Sequence, residues 1–324
     1  MICIYHSRDL DGYTSGAIIK KWHEQINDYP DNIGKGELKL IGYDYGQPIP
    51  WEQIPAGEPI IMVDVSVPFE DMEKMATHSN GQFTWIDHHR SAILGFGEKY
   101  GATIQEGFHI YKVVTQHSRE IVAILQDGIA ACEITWKHLF PNARMPDAVK
   151  FLGQYDTWRQ KEVGDRWDME ILPFQFGMRL YCNSPETFPM DLLGEDDDTL
   201  EERMVDIINE GITVLKYQAQ VNTAQCKKAA FEYTWKGLRC ICLNNGGFNS
   251  DVFKSVYDSE KHDIMMPFQY TNQGFWTFSL YSTHKHIDCG AIAKEMKGGG
   301  HFSAAGFQVS GLLGVREVFE NMFI

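Results

Sequence analysis

Within the first ninety residues, short apolar runs rich in β-formers alternate with helical stretches, and this alternation constrains the fold more than any other feature. The runs are ICIYH at 2–6, LKLIGYDY at 38–45, PIIMVDV at 59–65 and FTWIDHH at 83–89. Between them lie TSGAIIKKWHEQI at 14–26 and FEDMEKMAT at 69–77, both with helical periodicity. Such alternation predicts an α/β fold with a largely parallel, doubly wound sheet. In open sheets of this kind ligands bind beyond the carboxyl ends of the strands. Polar residues stand at those ends here: His6, Asp9 and Asp11 after the first run, Asp64 at the third, and Asp87, His88 and His89 at the fourth.

Further along, 128–140 and 146–154 are predicted helices, and Tyr155-Asp156-Thr157-Trp158 follows the second. The densest acidic run, LGEDDDT at 193–199, precedes a long amphipathic stretch over about 199–229. We expect a domain over 1–190, a connector helix over 191–229 and a smaller α/β domain over 230–324. The latter contains the strand-like FEYTWKGLRCICLN and FWTFSLYS, then a helix, a glycine turn and a strand in AIAKEMKGGGHFSAAGF. With 44 acidic and 29 basic side chains the net charge is −15, which excludes a generally basic nucleic-acid coat. No apolar run is long enough to span a membrane, and charge appears at Arg8, too early for a signal peptide, so a cytoplasmic protein is expected. The seven cysteines are scattered without a C-x-x-C pair, against a disulfide framework or a zinc knuckle.

Bringing Asp9, Asp11, Asp64 and Asp156 to one rim would crowd four negative charges and demand cations. With His6 and His88 the donor set is oxygen-rich with two imidazoles, suited to a pair of Mn2+-like ions. Asp64, alone at the end of a central strand, is the candidate bridging ligand. Paired ions stabilise the attacking and leaving oxygens of a phosphoryl displacement and supply hydroxide near neutral pH, so phosphoester hydrolysis is the first chemical reading. Taken singly, each aspartate is better explained as an N-cap or turn residue; Asp or His at three separate strand ends is not. Asp87 could accept a hydrogen bond from an imidazole rather than bind metal. Gly298-Gly299-Gly300-His301 reads as an anion-binding loop, or else as a helix C-cap with a turn. His284-x-His286 and Cys240-x-Cys242 lack further ligands at metal spacing.

Taken together, HSRDLDGYTSGAI, IMVDVS, WIDHHR, GQYDTW and GGGHFSAAGF resemble the DHH superfamily of phosphoesterases, in the branch carrying the DHH-associated C-terminal domain. The resemblance runs over almost the whole chain with the motifs in order. It implies that Asp9, Asp11, Asp64, His88 and Asp156 bind two Mn2+, with Mg2+ or Co2+ able to substitute. It also implies that Asp64 bridges, that His89 contacts the scissile phosphate with Asp87 beside it in the catalytic group, and that Gly298, Gly299, Gly300 and His301 grip the substrate's other end. Two departures stand out. The spacing from His6 to Asp9 is one residue shorter than in several relatives, which bears on whether His6 ligates. Tyr281-Ser282 also replaces the usual Arg-Ser, so Tyr281 could stack a base or donate a hydrogen bond, and Arg8, Arg90 or Arg159 could supply the missing charge.

What the resemblance implies is a Mn2+-dependent phosphodiesterase similar to the bacterial nano-RNases, trimming short RNA or DNA oligonucleotides to 5′ mononucleotides through a metal-activated hydroxide. The alternatives are a phosphatase for 3′-phosphoadenosine 5′-phosphate, a phosphodiesterase for linear or cyclic dinucleotides and, from another class, a non-catalytic nucleotide sensor. A pyrophosphatase is disfavoured because that family's second domain lacks GGGH. No membrane partner is expected, and a homodimer is one option for assembly.

Overall fold

Residues Ile2–His6 form β1, a strand buried along its whole length, as befits the middle of a parallel sheet covered on both faces. In the computed structural model, which describes residues 1–27, 36–194, 198–245, 250–300 and 302–319, β1 leads into α1 (Leu10–Asn27). There follow β2 (Lys39–Tyr43), β3 (Ile60–Val63), α2 (Phe69–His78), β4 (Phe83–Asp87), α3 (Arg90–Tyr100), and the strands β5 (His109–Val114) and β6 (Glu120–Leu125). Next come α4 (Ala131–Leu139), α5 (Asp147–Asp156), the short α6 (Gln160–Val163), α7 (Leu172–Met178) and α8 (Asp198–Ala229). The chain divides into two units, Met1–Val214 and Leu215–Ile324, and the division falls inside α8.

In the first unit the strand order is β2-β1-β3-β4-β6-β5, parallel throughout except for the antiparallel edge strand β5. The expected doubly wound sheet is present, and its order reverses between β1 and β3. Alternate side chains separate two cores. Ile4, Met62 and Trp85 pack with Met72 of α2 and Phe96 of α3, whereas Tyr5, Val63 and Ile86 pack with Ile19 of α1 and Ile134 of α4. The helix α3, the hairpin joining β5 to β6, and the region from α6 to α7 are additions to what the sequence patterns revealed.

In the second unit β7 (Phe231–Trp235), β8 (Leu238–Asn244), β9 (Ile264–Tyr270), β10 (Phe275–Tyr281), β11 (Gly299–Gly300) and β12 (Ala304–Ser310) form a sheet of order β11-β12-β10-β9-β8-β7. Only β8 and β9 run parallel among its pairs. The helix α9 (Cys289–Glu295) contributes Cys289 and Ala293 to the core beneath it. No helix among the described residues is long and apolar enough to cross a membrane.

Candidate metal centre

Asp64 follows β3 with φ of 58°, a left-handed backbone unusual for any residue but glycine, asparagine or aspartate. Its amide is pinned to the Ile86 carbonyl at 3.0 Å, and its carboxylate is almost wholly buried. The two carboxylate oxygens face different neighbours. Oδ2 lies 3.4 Å from His6 Nδ1, which is itself 3.1 Å from Asp9 Oδ2. Oδ1 lies 3.3 Å from His88 Nε2, which is 3.6 Å from Asp11 Oδ2 and 3.5 Å from Asp156 Oδ2. Thus His6, Asp9 and Asp64 make one ligand-like group and Asp11, His88 and Asp156 a second, with Asp64 between them.

Secondary structure fixes each of these side chains. Asp9 caps α1 by accepting from the Gly12 amide at 3.1 Å, so the capping role and the place in the cluster belong to one residue. Asp11, in the first turn of α1, accepts from the Ala131 amide at 2.8 Å and the Cys132 amide at 2.7 Å. The positive N-terminal end of α4 therefore grips a carboxylate supplied by another helix. Asp156 is the last residue of α5. His88 and His89 follow β4, and buried Asp87 accepts from the amides of both and from His89 Nδ1 at 2.7 Å.

Neither Asp64 oxygen nor His6 Nδ1 makes a hydrogen bond, although all three are buried. Orphaned polar atoms at the meeting point of carboxylates and imidazoles are what a cation site leaves when only protein atoms are considered. Hard oxygens with two imidazoles fit divalent ions of the manganese or magnesium type. The residues present therefore fit such ions.

No family model matches the chain. It is 20% identical over 317 residues to the oligoribonuclease NrnB of Bacillus subtilis (strain 168), covering 96% of this chain and 73% of that protein. It is also 24% identical over 263 residues to the uncharacterised protein R106 of Acanthamoeba polyphaga mimivirus, covering 79% of this chain and only 54% of that relative, about half its length. Among solved structures, the DHH domain of a protein assigned to a family of ribosomal proteins superposes with a TM-score of 0.57 at 14% identity, over 98% of this chain and 84% of the other. The chain has the fold of a DHH domain.

On this fold the six expected metal-site residues, His6 included, come together, and Asp87 and His89 lie beside them. Arg90 points its exposed guanidinium at Asp127, 2.6 Å away. Arg8 pairs with Asp44, and half-buried Arg159 pairs with buried Glu133. Tyr281 ends β10, opposite Ala304 of β12, while Gly300 pairs with the next residue, Ala305, so both flank one stretch of β12. A recess of about 390 Å3 lined by Lys297, Gly298, Thr277 and Gln308 opens further along β10 and β12, without Tyr281 or Gly300 in its wall. The three glycines at 298–300 are not equivalent. A Cβ on Gly298 would lie 2.1 Å from the Gly306 carbonyl oxygen, and Gly300 has φ of 140°, but Gly299 is exposed with nothing near a Cβ. The left-handed position after α9 falls to Lys297 rather than to a glycine, and of the three only Gly298 joins the cap, its amide donating to Ala293 at 2.8 Å. His301 lies outside the described residues, as do three residues of the acidic run at 195–197.

Several residues of the site escaped the sequence reading. Asp44 lies 3.7 Å from His6 Nε2, and the Tyr45 ring stands edge-on to His6 and His89 at centroid distances of 5.6 and 6.2 Å. Both follow β2, so the rule that drew attention to the other strand ends also covers them.

Charge is crowded as the sequence implies. Burial and the neighbouring Asp64 push Asp11 up to about 7, and burial with Asp11 does the same to Asp156. Burial works against the His88 imidazolium, yet Asp64, Asp11 and Asp156 push it up to about 10. His6, facing Asp64 and Asp9 against the same burial, also rises to about 10. Near neutral pH these side chains therefore hold protons that they must shed to ligate a cation. Divalent-cation binding is expected to release protons and to tighten as pH rises from roughly 6 to 9. Titration calorimetry in two buffers of different ionisation enthalpy measures the release, and an affinity flat across that range would remove these groups from the ligand set.

Proposed function

We propose that the protein hydrolyses phosphodiester bonds of short oligonucleotides to 5′ mononucleotides, with two Mn2+ ions held by His6, Asp9, Asp11, Asp64, His88 and Asp156. The observation that carries this reading is the division of Asp64, one oxygen toward each ligand group, as a bridging carboxylate requires. Similarity to an oligoribonuclease over 96% of the chain supports the substrate class. When bound, the two ions would neutralise the carboxylates and make hydroxide available near neutral pH.

The chain's own groups do the rest. Asp87 accepts a hydrogen bond from His89 Nδ1 and raises the basicity of that ring against its burial, so Nε2 keeps a proton to offer a phosphoryl oxygen. The α4 amides hold Asp11 on its oxygens without adding charge of their own to the cluster. In the second unit, Gly299 leaves backbone open to a close approach by the substrate's far end, and in this reading Tyr281 and His301 take part in holding it. Short substrates are favoured because a net charge of −15 gains little from counterion release along a polymer. Cytoplasmic residence belongs to the same reading and suits seven unpaired cysteines.

The test is incubation with Mn2+ and a panel of end-labelled RNA dimers, pentamers and twenty-mers, 3′-phosphoadenosine 5′-phosphate, cyclic dinucleotides and pyrophosphate. Rapid conversion of dimers and pentamers to mononucleotides with the twenty-mer spared is expected. Phosphate release from the bisphosphate or pyrophosphate alone would replace the substrate, and inactivity on the whole panel would leave a nucleotide sensor.

A further inference from the structure

Six non-glycine residues among those described have positive φ: Asp64, Asn80, Ser118, Trp158, Lys236 and Lys297. Asn80 and Ser118 occupy turns, Lys236 begins the β7–β8 hairpin turn, and Lys297 ends a helix. Trp158 is different in kind, because a bulky aromatic stands where helices normally place glycine or asparagine. The capping geometry at the end of α5 is complete. The Trp158 amide donates to Tyr155 at 3.1 Å, and the Arg159 amide donates to Gln154 at 3.0 Å. Glycine would make the same turn without the steric penalty of the left-handed region.

Burial does not compensate for that penalty, since Trp158 remains 65% exposed. Nor is its ring loose. It lies 5.7 Å from the Tyr155 ring and 5.8 Å from that of buried Trp167, within about 30° of parallel to both, while Tyr155 and Trp167 are themselves 8° from parallel. Two fixed rings thus hold a third in a set orientation and leave most of it open. Asp156 of the metal centre is two residues away, at most about 7 Å along the chain. Strain retained beside a site, on a residue whose open surface no core contact explains, points to a ligand.

We propose that Trp158 is a stacking platform for a nucleobase of the substrate whose phosphate sits at the Asp64 cluster. The proposal rests on the phosphodiesterase reading and narrows it to substrates that carry a base, excluding pyrophosphate and polyphosphate as the preferred ones. A base stacks on an aromatic face with little regard to its identity, so the platform would add affinity without sequence preference. Tyr45, 48% exposed and in contact with His6 and His89, is a second ring at the same cluster, but its edge-on packing suits it to lining rather than stacking.

The test compares wild type with Trp158→Asn, which keeps a residue suited to the left-handed turn, on an RNA dinucleotide and on a base-free sugar phosphodiester, with Mn2+ present. Stacking on this scale predicts that KM for the dinucleotide rises about five- to a hundredfold more than KM for the base-free diester. A second readout needs no turnover: adenosine monophosphate added to the metal-free protein should quench tryptophan fluorescence, and the quench should vanish in Trp158→Asn. Equal changes on both substrates, or a quench that survives the substitution, would overturn the proposal. If wild type cleaves neither diester, the phosphodiesterase reading fails, and the quench alone then decides whether Trp158 binds a base. Should the asparagine variant not fold, Trp158→Phe carries the same comparison with a smaller expected shift.

Discussion

Asp64→Asn is expected to lower kcat on the order of 10³-fold while leaving the fold intact. Asparagine matches aspartate in volume and tolerates the left-handed backbone at this position, with φ of 58°, so no new strain arises. What it lacks is the carboxylate charge and a second acceptor oxygen. In the proposed arrangement one oxygen serves the His6 and Asp9 group and the other the His88, Asp11 and Asp156 group, and an amide can offer only one. Without metal, the variant should unfold at or above the wild-type temperature above pH 7, because a buried charge that repels Asp9 and Asp11 has gone. With Mn2+ the wild type should gain stability by ligand linkage and the variant should gain less. Thermal unfolding with and without Mn2+, alongside kcat, separates the effects; near-normal turnover at saturating metal would end the bridging assignment.

The second large effect concerns a residue with no side chain. A Cβ on Gly12 would lie 2.0 Å from the His6 carbonyl oxygen and 2.8 Å from the His6 carbonyl carbon. Backbone atoms of a central strand cannot move aside as a flexible side chain would, so Gly12→Ala must push α1 away from the end of β1. Overpacking of this kind costs about 1–3 kcal/mol. Activity should suffer more. Asp9 and Asp11 ride on the same turn, and a misplacement of about 1 Å can cost on the order of 10²-fold in rate. Denaturant unfolding combined with kcat at saturating Mn2+ is the measurement. A loss of stability without loss of rate would mean that the first turn of α1 does not set the ligand geometry.

Much of the first unit was legible because parallel strands buried on both faces read as continuous apolar runs, and β1, β3 and β4 do so plainly. Elements whose residues answer to distant neighbours were not. α3 carries Gly95 and Gly97 because Phe69 and Ile104 crowd those positions, and two glycines mask a helical pattern. β9 contains Pro267, which argues against an interior strand, yet it pairs on both sides. β5 alternates half-buried and exposed residues as an edge strand does, which gives a weak signal. For the candidate centre, the aspartates and histidines stood out by their place after strands. The α4 amides on Asp11 and the Glu133–Arg159 pair depend on tertiary placement alone, and no spacing in the sequence foreshadows them.

All seven cysteines are buried and unpaired, and burial raises every one of their thiols above its ordinary pKa. Since the thiolate is the reactive form, the folded chain is close to inert toward alkylating reagents, and modification waits for an opening event. Cys3, Cys132 and Cys182 lie in one unit and Cys226, Cys240, Cys242 and Cys289 in the other. The protein thus carries two sets of built-in chemical clocks, and the order in which they run down records which half of the chain loosens first.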